Sequence, residues 1–197
     1  MSLFNIADAM VEKKELTNNK SVVLSGSVKL VNEEFGKNLE AVIGNIEMGK
    51  HIHFFTKNAW TVPDLVLFIL SQTGKANIYI ATWAMKEFPA RKLVNAKQHG
   101  LIDRFYVKLD HRVKTYDSAV YFFLKKNADE VNLAHCHAKV TVIENEDWGV
   151  VITGSANYSA NPRAESGVIT CDKIAAATAK EWILNFTNEK SDSDGVD

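Results

Sequence analysis

The 197-residue sequence contains few cysteines, almost no net charge and no long apolar segment. Its two cysteines, Cys136 and Cys171, are too few for a disulfide framework, and both lie in apolar, strand-like runs. We therefore expect two reduced thiols in the core of a cytoplasmic protein. No apolar run reaches the roughly 20 residues that span a bilayer, so we expect no membrane partner. The first residues lack a basic segment followed by an apolar one, and we expect no signal peptide.

The charge balance limits the ways in which the protein can attract a charged partner. A formal net charge of −1 does not indicate a nucleic-acid-binding protein of high overall charge. Any attraction for phosphate must therefore come from a local group of cations. The chain is long enough, and with 46% hydrophobic residues apolar enough, to bury a substantial core in one domain.

Strand-like and helix-like segments alternate along most of the sequence. Strands are predicted at 51–56, 76–82, 101–109, 131–135 and 167–171, and helices at 32–46, 61–74, 87–99, 115–127 and 172–188. The run at 22–31 predicts either a short hairpin or one bulged strand. This alternation predicts an α/β domain with three layers, in which helices flank a mostly parallel mixed sheet.

The boundaries of that domain follow from composition. We expect a polar helical extension at residues 1–20, a single α/β domain at 21–188 and a disordered acidic tail at 189–197. We find no internal repeat in the sequence.

Two apolar runs, before and after a polar turn, predict a hairpin that carries a group of polar side chains. Period-2 alternation places His137 and Lys139 on one face of the first strand. The second strand leads into Gly154-Ser155-Ala-Asn157, whose small residues would let a ligand approach closely. An imidazole, an ammonium, a hydroxyl and an amide together suit a tetrahedral anion such as a phosphate, with His137 as nucleophile or base.

This spacing resembles the HKD motif of the phospholipase D superfamily, which is H-x-K-x4-D followed by G-S-x-N. Five positions match, namely His137, Lys139, Gly154, Ser155 and Asn157. Glu144 stands at the acidic position counted from His137, whereas Asp147 keeps the spacing to Gly154. We favour Glu144, because it stays in register with the strand of His137.

The resemblance implies a phospholipase D-like fold and a two-step phosphoryl transfer. One histidine attacks phosphorus to form a phosphohistidine, and a second histidine protonates the leaving oxygen and then activates water. The chain contains one H-x-K motif, so the resemblance implies a homodimer in which both copies of His137 share a site. Lys139, Ser155 and Asn157 would stabilise the charge without a metal or another cofactor. Single-motif members resemble nucleases, which implies a DNA or RNA phosphodiesterase.

Further candidate residues lie close to this motif or after predicted strands. In the family an acidic residue after G-S-x-N often holds the imidazole, and Glu165 is the candidate here, with a surface glutamate as the alternative. Ligands of open α/β sheets bind beyond the carboxyl ends of the strands. Four residues at such ends are therefore candidates for substrate binding: Lys57, Trp60, Trp83 and Arg112. The two tryptophans suit stacking with bases, but they suit core packing equally well.

Three other interpretations stay open. His135-Cys136-His137 permits a zinc site, but alternation puts Cys136 opposite the histidines and structural zinc needs four ligands, so we predict no metal. A phospholipid-hydrolysing enzyme would need an amphipathic apolar segment, which we do not find. A phosphate-binding or nucleic-acid-binding module that keeps the fold without catalysis also fits the near-neutral charge and the altered acidic position.

Overall fold

The computed structural model describes residues 27–32, 39–57, 60–159 and 163–186, and for 27–32 it describes the backbone alone. The predicted extension at 1–20 and tail at 189–197 lie outside these residues. The strands are β1 (Ser27–Asn32), β2 (Lys50–Lys57), β3 (Ala76–Thr82), β4 (Ile102–Asp110), β5 (Glu130–Ala134), β6 (Lys139–Glu144), β7 (Gly149–Gly154) and β8 (Ala164–Cys171). The helices are α1 (Leu39–Val42), α2 (Val62–Thr73), α3 (Glu87–Gln98), α4 (Val113–Tyr116), α5 (Ser118–Asn127) and α6 (Lys173–Asn185).

The eight strands form one mixed sheet, which confirms the predicted fold class. Their order is β1-β2-β8-β7-β6-β3-β4-β5. The pairs β1–β2, β3–β4 and β4–β5 are parallel, while β2–β8, β8–β7, β7–β6 and β6–β3 are antiparallel. The sheet is thus less parallel than predicted, because the hairpin β6–β7 and strand β8 insert between the two parallel groups as an antiparallel meander.

Helices cover both faces of the sheet and create two separate apolar layers. On one face, residues of α2, α3 and α5 pack with inward side chains of the strands, including Ile78, Phe105 and Ile143. On the other face, α6 packs Ala176 and Ile183 against Tyr79, Val142 and other strand residues. Both cysteines are unpaired and buried, as predicted, and burial raises the pKa of Cys171 to about 11. Among the described residues, no helix combines the length and apolarity needed to cross a membrane.

Local signals explain why two helices begin where they do. The backbone N–H of Thr61 donates to Asp64 Oδ2 at 2.9 Å, and a proline in the first turn lacks a donor that would need a partner there. Asp172 caps α6, because its Oδ1 accepts from the N–H of Ala175 at 2.7 Å. At the end of α2, Gly74 takes φ of 75°, a conformation that other residues rarely adopt.

Two predicted helices differ from the observed ones. Of the predicted helix at 32–46, Asn32 belongs to β1 and the described helix is confined to Leu39–Val42, although Ile43 and Ile46 are buried as the periodicity indicates. The predicted helix at 115–127 is interrupted at Asp117, whose non-helical backbone (φ −154°, ψ 56°) separates α4 from α5. Hydrophobic spacing alone does not reveal such a break.

Candidate active site

The ends of seven strands meet at one edge of the sheet and bring the predicted motif residues together. Because β6 runs antiparallel to β3 and β7, Lys139 pairs with Thr82, and Val140 pairs with Thr153. The carboxyl ends of β2, β3, β4, β5 and β7 therefore lie at the same edge as the first residues of β6 and β8. We call this edge the motif edge of the sheet.

His137 is exposed and lies in the segment before β6. The prediction that it belongs to the strand is therefore wrong, because β6 begins at Lys139. Its carbonyl oxygen accepts a hydrogen bond from Lys139 Nζ at 2.8 Å. Its ring lies 5.8 Å from the ring of Trp83, centroid to centroid. Within the described residues the imidazole has no hydrogen-bond partner, which leaves both nitrogens available to a ligand.

Lys139 lies close to His137, Trp83 and Glu165. Its Nζ is 6.0 Å from the centre of the Trp83 ring, and Glu165 also acts on it electrostatically. Burial lowers the pKa of Lys139 from its ordinary value, and the nearby Cys136 and Glu165 only partly oppose this shift. An ammonium uses one of its three N–H groups on the carbonyl of His137, so two remain to donate to phosphate oxygens.

Ser155 and Glu165 form a hydrogen-bonded pair beside Lys139. The hydroxyl of Ser155 donates to Glu165 Oε2, and its oxygen accepts from the backbone N–H of Ser166 at 3.0 Å. The backbone N–H of Ser155 donates to the carbonyl of Ser166 at 2.9 Å. Glu165 therefore orients the serine, and the structure contains no hydrogen bond between Glu165 and the described imidazole of His137.

Asn157 is positioned by its neighbour Tyr158, which is fully buried. The Tyr158 hydroxyl shares a 2.5 Å hydrogen bond with Thr141 Oγ1 on β6. Its backbone N–H donates to the carbonyl of Ala84 at 3.1 Å, and its carbonyl accepts from the N–H of Lys86 at 2.8 Å. Burial raises the pKa of the Tyr158 phenol well above its ordinary value. These bonds fix the segment of Asn157 to β6 and to the segment after β3.

The amide of Asn157 has one group that no other described residue satisfies. Its Oδ1 is buried and has no hydrogen-bond partner in the described part of the chain. Buried polar atoms are nearly always paired in folded proteins, and an orphan at a site calls for a donor from a ligand, a reacting group or water.

Asp110 organises the side of the site formed by β4 and the segment before β6. The buried carboxylate accepts from the Nε of Arg112 at 2.6 Å and from the backbone N–H of Cys136 at 3.2 Å. Burial alone would raise the pKa of Asp110, but the hydrogen bonds from Arg112 and Cys136 outweigh it and hold the pKa below its ordinary value. Arg112 in turn lies over the Trp83 ring, with its Cζ 5.4 Å from the ring centre.

The other candidates for substrate binding are less central. Lys57 is exposed at the end of β2, where it pairs with Ala164 and so lies at the motif edge. Trp60 is half-buried and packs edge-on against Phe54, with ring centres 5.0 Å apart. Its arrangement favours the core-packing alternative, whereas Trp83 is 38% exposed beside His137.

The structure does not bring either acidic candidate of the motif to this edge. Glu144 is the last residue of β6, and its carboxylate binds Lys180 Nζ of α6 at 2.7 Å. Asp147 lies in the following turn, where its backbone N–H donates to Asn145 Oδ1 at 3.0 Å. Both stand at the opposite edge of the sheet from Lys139.

Gly154 is required by the packing of β7 against β8. A Cβ at this position would lie 2.7 Å from the carbonyl oxygen of Ser166 and 3.2 Å from the Cα of Gly167, its partner on β8. A side chain would therefore push β7 away from β8 and displace the neighbouring Ser155.

Comparison with solved structures identifies the fold. Similar structures include NucT from Helicobacter pylori, with a TM-score of 0.53 and 18% identity over 68% of this chain and 94% of that chain. Nuc from Salmonella typhimurium, described as a phospholipase D family member, has a TM-score of 0.50 and 19% identity over 68% of this chain and 91% of that chain. The polyphosphate kinase from Porphyromonas gingivalis has a TM-score of 0.52 and 13% identity over 73% of this chain and 24% of that chain. The chain has the phospholipase D fold. No protein-family model matches the sequence, and no curated protein sequence is significantly similar to it. The resemblance predicted from the motif is thus confirmed by the fold.

Within this phospholipase D fold, two structural residues of the candidate site escaped the sequence-based predictions. Tyr158 and Asp110 hold the site together through long-range hydrogen bonds to Thr141 and Cys136. The sequence signals were weak: Tyr158 directly follows the motif, and Asp110 directly follows the apolar run of β4.

The three residues of the considered zinc site do not converge. Cys136 is buried, whereas His135 and His137 are exposed, and the ring of His135 packs edge-on against His111 with centroids 4.2 Å apart. No group of three or more potential metal ligands occurs among the described residues.

Proposed function

We propose that this protein is a phosphodiesterase that hydrolyses nucleic acids at a site built from His137, Lys139, Ser155 and Asn157. One observation carries the proposal: the H-x-K segment and the G-S-x-N segment lie side by side at the motif edge, with an imidazole and ammonium N–H groups left available. The orphan Oδ1 of Asn157 supports it, because a site with an unsatisfied polar atom is prepared for another molecule.

The chemistry follows from these groups in two balanced steps. A ring nitrogen of His137 attacks phosphorus, the bond from phosphorus to the leaving oxygen breaks, and a second histidine gives that oxygen a proton. The same second histidine then takes a proton from water, whose oxygen attacks phosphorus and breaks the P–N bond. Lys139 and the motif amide and hydroxyl stabilise the charge on the pentacoordinate phosphorus, so the proposed reaction needs no metal.

The proposed reaction needs a second histidine, which a partner subunit would supply. One group cannot be nucleophile and leaving-group acid at once, and the H-x-K motif occurs once. We infer a two-fold dimer in which His137 of the partner subunit supplies the acid, since two-fold symmetry brings identical surfaces together. His111 and His135, also near the motif edge, are the alternative source within one chain.

Nucleic acid is the favoured substrate class for two reasons. The implied relationship to single-motif members favours nucleases, and the site borders an exposed tryptophan with Arg112 over its ring. Aromatic rings and arginine beside a phosphate site suit the alternation of bases and phosphates in a nucleic-acid strand.

A substrate panel tests the activity. The full chain is incubated in chelator with plasmid DNA, RNA, phospholipid vesicles and a chromogenic phosphodiester, and then quenched in acid and alkali to detect a base-stable, acid-labile phosphohistidine. We expect cleavage of nucleic acid and the chromogenic diester in chelator. Hydrolysis confined to the vesicles would favour a lipase, and tight nucleic-acid binding without turnover would favour a binding module.

A mixed dimer tests the shared site. Wild-type and His137→Ala subunits carrying different tags are mixed, and the heterodimer is isolated and assayed, with its mass checked by sedimentation. We expect severe impairment, because nucleophile and acid come from different chains. A heterodimer with half of the wild-type rate would show that each subunit acts alone and would direct attention to His111 and His135.

A further inference from the structure

A cavity of about 450 Å³ adjoins the phosphate site and shares Trp83 with it. The Trp83 ring faces His137 at 5.8 Å between centroids, and it also lines the cavity together with residues of β4, α4 and the segment after β3. The volume lies within the roughly 300–1,000 Å³ of typical ligand pockets. A ligand group in this cavity therefore lies next to a phosphate bound at His137 and Lys139.

The apolar and aromatic walls of the cavity suit a flat ring. Met85 and Val113 are 1% and 8% exposed and form its buried part, while Trp83 and Tyr116 are 38% and 80% exposed and contribute aromatic rings. Aromatic side chains at a partly open pocket offer stacking surfaces, whereas an apolar chain such as an acyl group would gain nothing specific from them.

The charged groups of the cavity neutralise one another. Lys86 Nζ lies 2.8 Å from Asp117 Oδ2, and Arg112 Nε lies 2.6 Å from Asp110 Oδ1. These two pairs leave no excess positive charge for a second phosphate. The cavity therefore favours an uncharged ligand group with polar edges, in contrast to the neighbouring site around Lys139.

We propose that this cavity binds a nucleobase of the nucleotide next to the scissile phosphate, stacked against Trp83 and Tyr116. The proposal rests on the proposed function, because it takes the neighbouring phosphate from there. A base can enter only when it is unpaired and unstacked, so the cavity selects single-stranded or locally open nucleic acid. Stacking with aromatic rings tolerates all bases, since each has a π face, so little sequence preference is expected.

The test compares two strands of equal length, one with bases and one in which every base is absent. The full chain and its Tyr116→Ala and Tyr116→Phe variants are assayed for kcat/KM and for Kd by fluorescence anisotropy. Tyr116 lies outside the catalytic group and is exposed, so the substitution spares the fold. We expect Tyr116→Ala to lose about 5-fold to 100-fold on the strand with bases and less than about twofold on the base-free strand. Tyr116→Phe, which keeps the ring, should match the wild type.

The outcomes separate this proposal from the proposed function. If Tyr116→Ala weakens kcat/KM and Kd equally on both strands, or on neither, the base site is overturned. If Tyr116→Ala dissociates the dimer, Tyr116 belongs to a subunit contact and the base site is overturned as well. If the wild type binds nucleic acid without cleaving it, the proposed function fails, but the ratio of Kd between variant and wild type on each strand still decides the base site. If the wild type binds neither strand, the proposed function and the base site both fail. As a second measurement, photo-crosslinking of a 5-iodouracil strand to the His137→Ala variant should label Trp83 or Tyr116, and labelling elsewhere contradicts the proposal.

Discussion

The two ends of strand β6 differ in how their charged groups are partnered. At the first end, Lys139 donates one hydrogen bond to a backbone carbonyl and lies beside an imidazole without a described partner. At the last end, Glu144 and Lys180 satisfy one another at 2.7 Å, and the ammonium of Lys180 lies 5.6 Å from the centre of the Tyr79 ring. The five intervening steps of an extended strand separate the two ends by about 17 Å. The charged group at the first end of β6 thus keeps N–H groups without a described partner, whereas the charged groups at the last end are paired with one another.

The largest effect should come from His137. His137→Ala removes the nucleophile and, in a dimer, the acid as well, and the loss of acid–base assistance alone is worth about 10²- to 10⁴-fold. We expect activity at background with an unchanged melting temperature, because the side chain is exposed. His99 is the matched control, since it is exposed and lies between α3 and β4 at the opposite edge. Residual activity within tenfold of the wild type would exclude His137 as nucleophile.

The second effect contrasts two lysines. Lys139→Ala should lower kcat/KM by about 10²-fold, as expected for the loss of one group that stabilises a charged transition state. Lys180→Ala should leave the rate unchanged and lower the free energy of unfolding by at most about 1 kcal/mol, because a partly exposed ion pair contributes little. Steady-state kinetics and urea denaturation measure both. Equal losses of activity in the two variants would remove the distinction between the ends.

The third effect concerns the anchor of Asn157. Tyr158→Phe leaves the buried hydroxyl of Thr141 without its partner and should lower the free energy of unfolding by about 1–3 kcal/mol. The double variant Thr141→Val/Tyr158→Phe removes both polar groups and should recover part of that loss. Denaturant titration of the wild type, the two single variants Thr141→Val and Tyr158→Phe, and the double variant gives the comparison. A double variant that loses the sum of both single effects would mean that the hydrogen bond is not the reason.

The fourth effect depends on pH. Asp110 lies at the motif edge, but its carboxylate accepts hydrogen bonds from Arg112 and Cys136, so it should behave as a structural group. Its pKa is lower in the folded than in the unfolded protein, so its contribution is present above the unfolded pKa and is lost as pH falls through the folded pKa. Asp110→Asn should lose about 1–2 kcal/mol of unfolding free energy at pH 7. The difference from the wild type should shrink below pH ~4, and a difference that grows on acidification would contradict the assigned direction.

The smallest effect should come from Glu144. Glu144→Gln weakens the ion pair with Lys180 and should cost less than about 1 kcal/mol of unfolding free energy, with kcat/KM within about twofold of the wild type. A loss of kcat/KM of tenfold or more would restore the catalytic role that the motif spacing predicts for this residue.

Local signals account for the parts of the fold that were predicted well. Strand β3 has the predicted bounds, and α2 begins after Thr61 and ends before Gly74, because capping and a positive φ act within a few residues. The group of His137, Lys139 and Ser155 was also predicted, since two short motifs on paired strands bring these residues to one edge.

Long-range contacts account for what was missed. The hydrogen bonds of Tyr158 and Asp110 join residues 17 and 26 positions apart in the sequence, and no periodicity encodes them. The remoteness of Glu144 was predictable in principle, because five residues of extended strand cannot bring it back to Lys139.

The facing glycines of β7 and β8 have a consequence for how the meander chooses its alignment. Gly167 pairs with Gly154 on one side and Phe54 on the other, and a Cβ on Gly167 would overlap the Phe54 ring. If β8 slid by one residue, Ser166 or Val168 would carry a side chain into that space. A slip by one residue in either direction is therefore sterically blocked, and the observed alignment sets Glu165 next to Ser155. The absence of side chains at Gly154 and Gly167 thus fixes the register of β7 and β8 at the candidate site.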